Sequence, residues 1–233
     1  ARTSEQERER APEQPPEHVQ ADEREDVHDR VTLAVAAARA AAPAWAARAV
    51  RDRVAVLERF RALVFAERDA IARTISEETG KPLVEALIAD VSMALEGARF
   101  LSRVARRTLA SRRMRSRTLA AWRKIITVHH DPLGVVGIVS PWNYPFFFPA
   151  MHAMTALVAG NVVLLKPSEY TPRSADHLAR LLARAGVPEG VFTLLQGAGG
   201  VGAALVASDL DKLFFTGSGR TGALIAAQCA PRF

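Results

Sequence analysis

The stretch GVVGIVSPWNYPFFFP, residues 134–149, joins a continuous apolar run to a turn rich in proline and then to a second apolar run. An uncharged run of this length predicts a strand that is buried on both faces, as in a parallel sheet covered by helices. In the turn, Asn143 stands between two prolines. Its side-chain amide either caps the helix that Pro145 helps to start, or donates a hydrogen bond to a group that becomes negatively charged during a reaction.

The same order of strand, turn and helix recurs through the rest of the chain. Apolar runs alternate with helical patterns, which predicts βαβ units and an α/β fold with a Rossmann-like parallel sheet and helices on both faces. The predicted strands lie within GVVGIVS (134–140), NVVLLKP (161–167), VFTLLQG (191–197) and KLFFTGS (212–218), and the predicted helices cover 147–159, 172–185, 199–207 and 219–229.

A helical region precedes this sheet. Apolar residues recur at helical spacing from Val50 to Ile75, which predicts one long amphipathic helix. The segment ETGKP, residues 78–82, ends that helix with a glycine before a proline. The β-branched segment KIITVHH, residues 124–130, predicts a strand. Between these two segments begins a second apolar stripe, formed by Leu83, Leu87, Val91 and Leu95.

The composition is that of a protein with a large apolar core, since 49% of the 233 residues are hydrophobic. Residues 1–26 are dense in charged residues, glutamine and proline, which predicts a disordered tail. We expect residues 27–131 to be a helical region that includes the basic segment and a strand, and residues 132–233 to be an incomplete dinucleotide-binding α/β domain. The sequence has no apolar run of about 18 residues and no apolar segment near residue 1, so we expect a cytoplasmic protein that contacts no membrane.

Basic residues concentrate in one segment, residues 103–124, of a chain whose formal net charge is +6. Trp122 is the only aromatic residue there and no nucleic-acid recognition motif is present. We therefore expect a solvated or subunit-facing surface and no nucleic-acid partner. The nearby pair His129 and His130 has no further ligand beside it in the sequence, so no metal site is expected.

The turns that follow parallel strands meet at one edge of the sheet, where such folds bind their ligands. In KPSEYTP, residues 166–172, the side chains of Lys166 and Glu169 are suited to hydrogen-bond the ribose hydroxyls of a dinucleotide. The same segment has a second interpretation, because Thr171 and Pro172 are typical of an N-cap and the first residue of a helix.

Two further turns are rich in glycine. FTGSGRTG, residues 215–222, ends a strand and begins a helix, whose unpaired N–H groups would suit a pyrophosphate. Alternatively, Ser218 only caps that helix while Gly217 makes the turn. QGAGGVG, residues 196–202, allows the backbone to approach a ligand closely, although glycine-rich turns are common.

Taken together, four segments resemble the NAD(P)-dependent aldehyde dehydrogenase superfamily in their order and spacing. They are PLGVVGIVSPWNYP (132–145), GNVVLLKPSEYTP (160–172), GVPEGVFTLLQG (186–197) and DKLFFTGSGRTG (211–222), and ETGKP resembles the family's helical region. The resemblance implies that Asn143 is the oxyanion-hole donor and that Lys166 and Glu169 hold the adenosine ribose. It also implies that Gly217 and Ser218 lie beside the pyrophosphate. The other candidate cofactor-binding residues in these turns are Trp142, Ser168, Gly199 and Gly222.

The resemblance also implies an activity. In the family, a cysteine thiolate attacks an aldehyde, hydride passes to the nicotinamide, and water activated by a glutamate hydrolyses the thioester. A complete enzyme of this kind would oxidise an aldehyde to a carboxylic acid with NAD, and we expect it to be a homo-oligomer. The family's cysteine and glutamate lie beyond the Thr-Gly-Ser turn, and the sequence ends before either of them. Cys229 follows that turn too closely, so we interpret it as an ordinary helix residue.

The chain thus resembles the amino-terminal half of such an enzyme, from residue 27 to residue 229. Two functions remain open from the sequence. One is an NAD-dependent aldehyde dehydrogenase whose catalytic half is missing. The other is a non-catalytic protein that binds a nucleotide or a partner. A third hypothesis, a basic nucleic-acid module, rests only on the arginines.

Overall fold

The computed structural model describes residues 17–115 and 124–232. The helices of these residues are α1 (Glu17–Ala46), α2 (Val50–Ala66), α3 (Arg68–Thr79), α4 (Leu83–Glu85), a π-helical segment (Ala86–Ser92), α5 (Met93–Thr108), α6 (Phe147–Val158), α7 (Pro172–Arg184), α8 (Gly199–Ala207), α9 (Gly219–Cys229) and a 3-10 turn (Ala230–Arg232). The strands are β1 (Arg112–Arg115), β2 (Ile125–Val128), β3 (Val135–Val139), β4 (Val162–Lys166), β5 (Phe192–Leu194) and β6 (Lys212–Phe215).

The centre of the fold is a parallel sheet whose described strands have the order β5-β4-β3-β6. All of β4 is buried, and β3 is buried except for the half-buried Val139, so side chains on both faces of the sheet are covered. This confirms the predicted α/β fold. Val139 pairs with Lys166 on one side and with Phe215 on the other. The turns that follow these three strands therefore start side by side.

The predicted single helix from Val50 to Ile75 is wrong, because the chain breaks at Glu67 into α2 and α3. Glu67 has φ −102° and ψ 12°, in the bridge region between helical and extended backbone. Its carboxylate accepts a hydrogen bond from Arg184 and lies 3.0 Å from Nε2 of His177, and both partners belong to α7. The break thus coincides with a contact between residues 110 positions apart in the sequence.

The predicted apolar stripe after residue 82 is buried only in part. Leu83 is exposed and Leu87 is half-buried, whereas Ala86, Asp90 and Val91 are buried. The helix takes π geometry from Ala86 to Ser92. Its buried face runs through Ala86, Asp90 and Ala94, beside the predicted stripe, so the carboxylate of Asp90 lies in the interior.

Helix α1 begins at Glu17, so residues 17–26 are helical. For these residues the predicted disordered tail is wrong. Residues 1–16 lie outside the described residues. Further along α1, Val31 and Ala38 are buried in the core and the helix contacts β3, β4 and β5. The Trp45 indole donates to the carbonyl of Leu157 at 3.0 Å, which joins the end of α1 to α6. Tertiary packing therefore stabilises a helix that its polar amino-terminal residues did not predict.

Strands β1 and β2 pair antiparallel as a separate two-stranded sheet, which confirms the strand predicted within residues 124–130. Most of its residues are exposed. Part of the basic segment, residues 116–123, lies outside the described residues, and its role as a subunit contact stays a prediction. His129 lies beside this hairpin with Nδ1 3.0 Å from the hydroxyl of Ser111. Within the described ranges, no helix combines the length and apolar character needed to cross a membrane.

Candidate functional site

A cavity of about 550 Å³ opens where β3, β4 and β6 end. All four turns that the sequence assigned to one rim contribute to its wall. Their lining residues are Ser140, Pro141, Trp142, Lys166, Ser168, Glu169, Gly199, Gly202, Thr216, Gly217, Ser218 and Thr221. The predicted meeting of these turns is confirmed, because the parallel sheet ends its strands at the same level. The volume is in the range of small-molecule and cofactor pockets.

Lys166 and Glu169 form a pair on one wall of this cavity. Lys166 is the last residue of β4 and is only 5% exposed. Its ammonium lies 3.0 Å from Oε2 of Glu169. A hydrogen bond from its own backbone N–H, and then the Lys166 ammonium, hold the pKa of Glu169 below its usual range. The side chain of Glu169 is 43% exposed, so an ionised carboxylate faces the opening with acceptor positions to spare.

The beginnings of α8 and α9 form another part of the wall. No atom lies within 4 Å of the place that a Cβ on Gly199 would occupy, so the backbone there is open to a ligand. At α9, the Ser218 hydroxyl accepts a hydrogen bond from the N–H of Thr221 at 3.1 Å. The capping interpretation of Ser218 is therefore confirmed. Capping uses one amide of the first turn, and the positive end of the helix dipole still faces the cavity.

Gly222 is the predicted cofactor-binding residue that does not line the cavity. A Cβ on Gly222 would come within 3.2 Å of the Phe215 ring, so this glycine permits close packing of α9 on β6. Gly217 combines both features. It lines the cavity, and a Cβ there would come within 2.6 Å of Phe215.

Asn143 lies in the exposed turn between β3 and α6, beside Trp142, which lines the cavity. Helix α6 starts after Phe146 with no side-chain cap from its own turn. The N–H groups of Phe146 and Phe147 donate instead to Oδ1 of Asp90, at 3.3 and 3.1 Å. The interpretation of Asn143 as the cap of α6 is therefore wrong. Its side-chain amide has no hydrogen bond to another residue of the described ranges, so its donors are open to solvent or a ligand.

Helix α7 is also capped by a side chain from elsewhere. Thr171 stands at the N-cap position as predicted, but its buried hydroxyl has no hydrogen-bond partner within the described ranges. Glu78, from ETGKP, accepts from the N–H groups of Arg173 and Ser174 at 2.6 and 2.9 Å. The sequence predicted ETGKP as a helix end within the helical region and gave no contact for its side chains. In the structure Glu78 binds the first turn of α7, and Lys81 binds the turn that follows β3.

Cys229 is the last residue of α9 and is half-buried. It is not among the residues that line the cavity, although the preceding Gln228 is. This position agrees with its interpretation as an ordinary helix residue.

Comparison with known proteins gives a consistent result. The sequence profile described as "Aldehyde dehydrogenase family" matches residues 3–233. N-succinylglutamate 5-semialdehyde dehydrogenase of Pseudomonas fluorescens (strain Pf0-1) is 44% identical over 204 residues, and the enzyme of that name from Chromobacterium violaceum is 42% identical over 204 residues. Each alignment covers 87% of this chain and 41% of the relative. The chain thus spans about two fifths of the length of these curated relatives.

Solved structures agree with the sequence comparison. An NADP-dependent enzyme of E. coli superposes with a TM-score of 0.81 at 35% identity, covering 88% of this chain and 42% of the other. An aldehyde dehydrogenase of Bacillus cereus, solved as an NAD⁺ complex, superposes with a TM-score of 0.80 at 32% identity, covering 88% of this chain and 41% of the other. The described fold, the four turns around one cavity and these similarities lead to one conclusion: the chain belongs to the aldehyde dehydrogenase family.

Proposed function

We propose that this chain is the cofactor-binding part of an enzyme that oxidises an aldehyde to a carboxylic acid with NAD. The observation that carries the proposal is the cavity at the ends of β3, β4 and β6, where Trp142, Lys166, Glu169 and Ser218 meet. By itself the 233-residue chain should not turn over aldehyde, because the nucleophile and the general base of the family are not among its motifs.

The residues around the cavity fit a dinucleotide. The Lys166 ammonium supplies donors and the ionised Glu169 supplies acceptors for ribose hydroxyls. The start of α9, with Gly217 and Ser218, suits the pyrophosphate. Ser140 lines the cavity and is only 4% exposed, and its hydroxyl has no hydrogen-bond partner within the described ranges. This hydroxyl is therefore available to hydrogen-bond a ligand. When bound, the nicotinamide supplies the acceptor for hydride.

We propose NAD as the preferred cofactor over NADP. An ionised Glu169 would repel the additional 2′-phosphate of NADP, and Lys166 compensates only in part because it is already paired with this carboxylate. The structures of relatives include an NADP-dependent enzyme and an NAD⁺ complex, so the family alone does not decide between them.

We propose that Asn143 stabilises the oxyanion that forms when a thiolate adds to the aldehyde carbonyl. An amide donor for this purpose must be free in the resting protein and must be held by its surroundings. The Asn143 side chain is exposed and makes no hydrogen bond to other described residues, while the carbonyl of the same residue is bound by Lys81 at 2.8 Å. Relatives named N-succinylglutamate 5-semialdehyde dehydrogenase make that carboxylated semialdehyde the first substrate to test.

The test has two steps. Calorimetric titration of the chain with NAD examines the cavity, and Glu169→Gln should weaken binding. The chain is then joined to the carboxyl-terminal part of the Pseudomonas fluorescens relative, and turnover is measured with and without Asn143→Ala. We expect a loss of roughly 10²–10³ in kcat with unchanged NAD affinity, the usual effect of removing one oxyanion donor.

Two outcomes would contradict the proposal. An unchanged kcat would exclude Asn143 as the oxyanion donor. An active hybrid that binds no NAD in the cavity would exclude the cofactor assignment. If the chain binds NAD but no hybrid turns over aldehyde, the non-catalytic function is favoured. Because Asn143 does not cap α6, Asn143→Ala should change the free energy of unfolding by no more than about 0.5 kcal/mol, which separates catalysis from folding.

A further inference from the structure

Lys81 binds the turn that carries Asn143. It follows Gly80, whose φ of 71° ends α3 in the left-handed conformation. The Lys81 ammonium donates to the backbone carbonyl of Asn143 at 2.8 Å and lies 4.5 Å from the centroid of the Tyr144 ring. The Lys81 side chain is 9% exposed whereas Asn143 is exposed, so this contact joins the edge of the interior to the surface turn.

Asp90 binds the other end of the same turn. It is fully buried in the π-helical segment, and its Oδ1 accepts from the N–H groups of Phe146 and Phe147. Its Oδ2 lies 2.8 Å from the Lys81 ammonium. One buried ion pair therefore holds the turn from the carbonyl of Asn143 to the first amides of α6.

We propose that Lys81 and Asp90 are positioning residues for Asn143. The Asn143 side chain makes no hydrogen bond of its own to other described residues, so its direction depends on how the backbone of the turn is held. Displacement of a catalytic group by about 1 Å costs up to about 10²-fold in rate, which makes such a restraint consequential. The catalytic part of this inference rests on the proposed function of Asn143.

A purely structural role is the competing explanation, because the ion pair also joins the segment after α3 to the π-helical segment. The net contribution of a buried ion pair to stability is small, because both charges lose their water, but removal of one partner alone is destabilising. A loss of stability therefore does not distinguish the two explanations. The two explanations differ in what they predict for Asn143 itself.

The first experiment uses the 233-residue chain labelled with [¹⁵N]asparagine. The sequence contains two asparagines, Asn143 and Asn161, so the spectrum is simple to assign. Asn161 serves as an internal reference, because its side chain is buried and bonded to Ala156, Leu133 and Gly134. Lys81→Met should shift or split the backbone and side-chain amide signals of Asn143 and leave those of Asn161 in place.

The matched control is Arg39→Met. Arg39 resembles Lys81 in its contacts, because it pairs with Asp211 at 2.6 Å and donates to the backbone carbonyl of Asp209 at 2.7 Å. Its loss removes the same kinds of contact far from the turn and should leave the Asn143 signals unchanged. If Lys81→Met unfolds the chain, the double variant Lys81→Met/Asp90→Asn removes the unpaired buried charge, and Asp90→Asn is its reference. Unchanged Asn143 signals in a folded Lys81 variant would overturn the inference.

The second experiment measures turnover in the hybrid enzyme. Lys81→Met should lower kcat about 10-fold or more with the Kd for NAD unchanged, and it should add no loss in an Asn143→Ala background. Losses that multiply would mean that Lys81 acts elsewhere, and would overturn the inference. If Asn143→Ala itself has no effect on kcat, the proposed function of Asn143 fails, and the amide signals still decide whether Lys81 holds the turn.

Discussion

Replacement of Glu78 by alanine should destabilise the protein more than any change at Thr171, although Thr171 occupies the N-cap position of α7. Glu78 accepts the amides of Arg173 and Ser174 and the Ser174 hydroxyl, at 2.6, 2.9 and 2.5 Å. Loss of a cap costs about 0.5–2 kcal/mol, and a hydrogen bond to a charged group contributes about 1.5–3 kcal/mol. Because Glu78 is half-buried, we expect Glu78→Ala to lower the free energy of unfolding by about 2 kcal/mol.

Thr171→Val is the matched comparison. The Thr171 hydroxyl is buried without a hydrogen-bond partner within the described ranges, and valine has nearly the same shape. We therefore expect no loss of stability and a gain of up to about 1 kcal/mol, since an unsatisfied buried hydroxyl is replaced by a methyl group.

Urea denaturation of the two variants and the parent chain measures both effects, provided that the m-values agree. The reasoning is refuted if Thr171→Val costs 1 kcal/mol or more while Glu78→Ala costs almost nothing. That result would mean that Thr171, and not Glu78, caps α7. Glu78→Gln retains an acceptor oxygen without the charge. Its free energy of unfolding should therefore lie between those of Glu78→Ala and the parent chain.

Three other predictions concern Glu67, Glu169 and the basic segment. Hydrogen bonds from His177 and then Arg184 hold the pKa of Glu67 below its usual range, so this carboxylate stabilises the fold above its unfolded pKa and loses that effect as the pH falls through the folded value. Glu67→Gln should therefore lower Tm at pH 7. Thermal scans should show that the difference in Tm between the parent and the variant becomes smaller below about pH 4, and a difference in Tm that does not depend on pH would contradict this. Glu169→Ser in the hybrid should narrow the ratio of kcat/KM for NAD over NADP, and a parent hybrid that used NADP at least as efficiently would show that Glu169 is assigned wrongly. The chain should bind DNA only weakly at physiological salt, because its basic segment has a single aromatic residue, Trp122, and no recognition motif. Submicromolar affinity with a steep salt dependence, measured by fluorescence anisotropy, would contradict this.

Local sequence patterns were sufficient to predict the parallel sheet and the helices that follow its strands. Continuous apolar runs identified β3 and β4, and the helices predicted at 199–207 and 219–229 have the observed bounds of α8 and α9. These features depend on residues within one element, so their periodicity is visible in the sequence. The meeting of four turns at one cavity also followed, because parallel strands end at the same edge.

Tertiary structure decided how the turns are held. Asp90 caps α6 from 56 residues away, Glu78 caps α7 from 96 residues away, and Lys81 binds the carbonyl of Asn143 from 62 residues away. The sequence instead predicted local caps, because Asn143 and Thr171 are the residue types that cap helices from their own turn. A buried backbone amide needs an acceptor but does not specify where in the chain the acceptor lies. Only the packing of the helical region against the sheet brings those side chains to the turns.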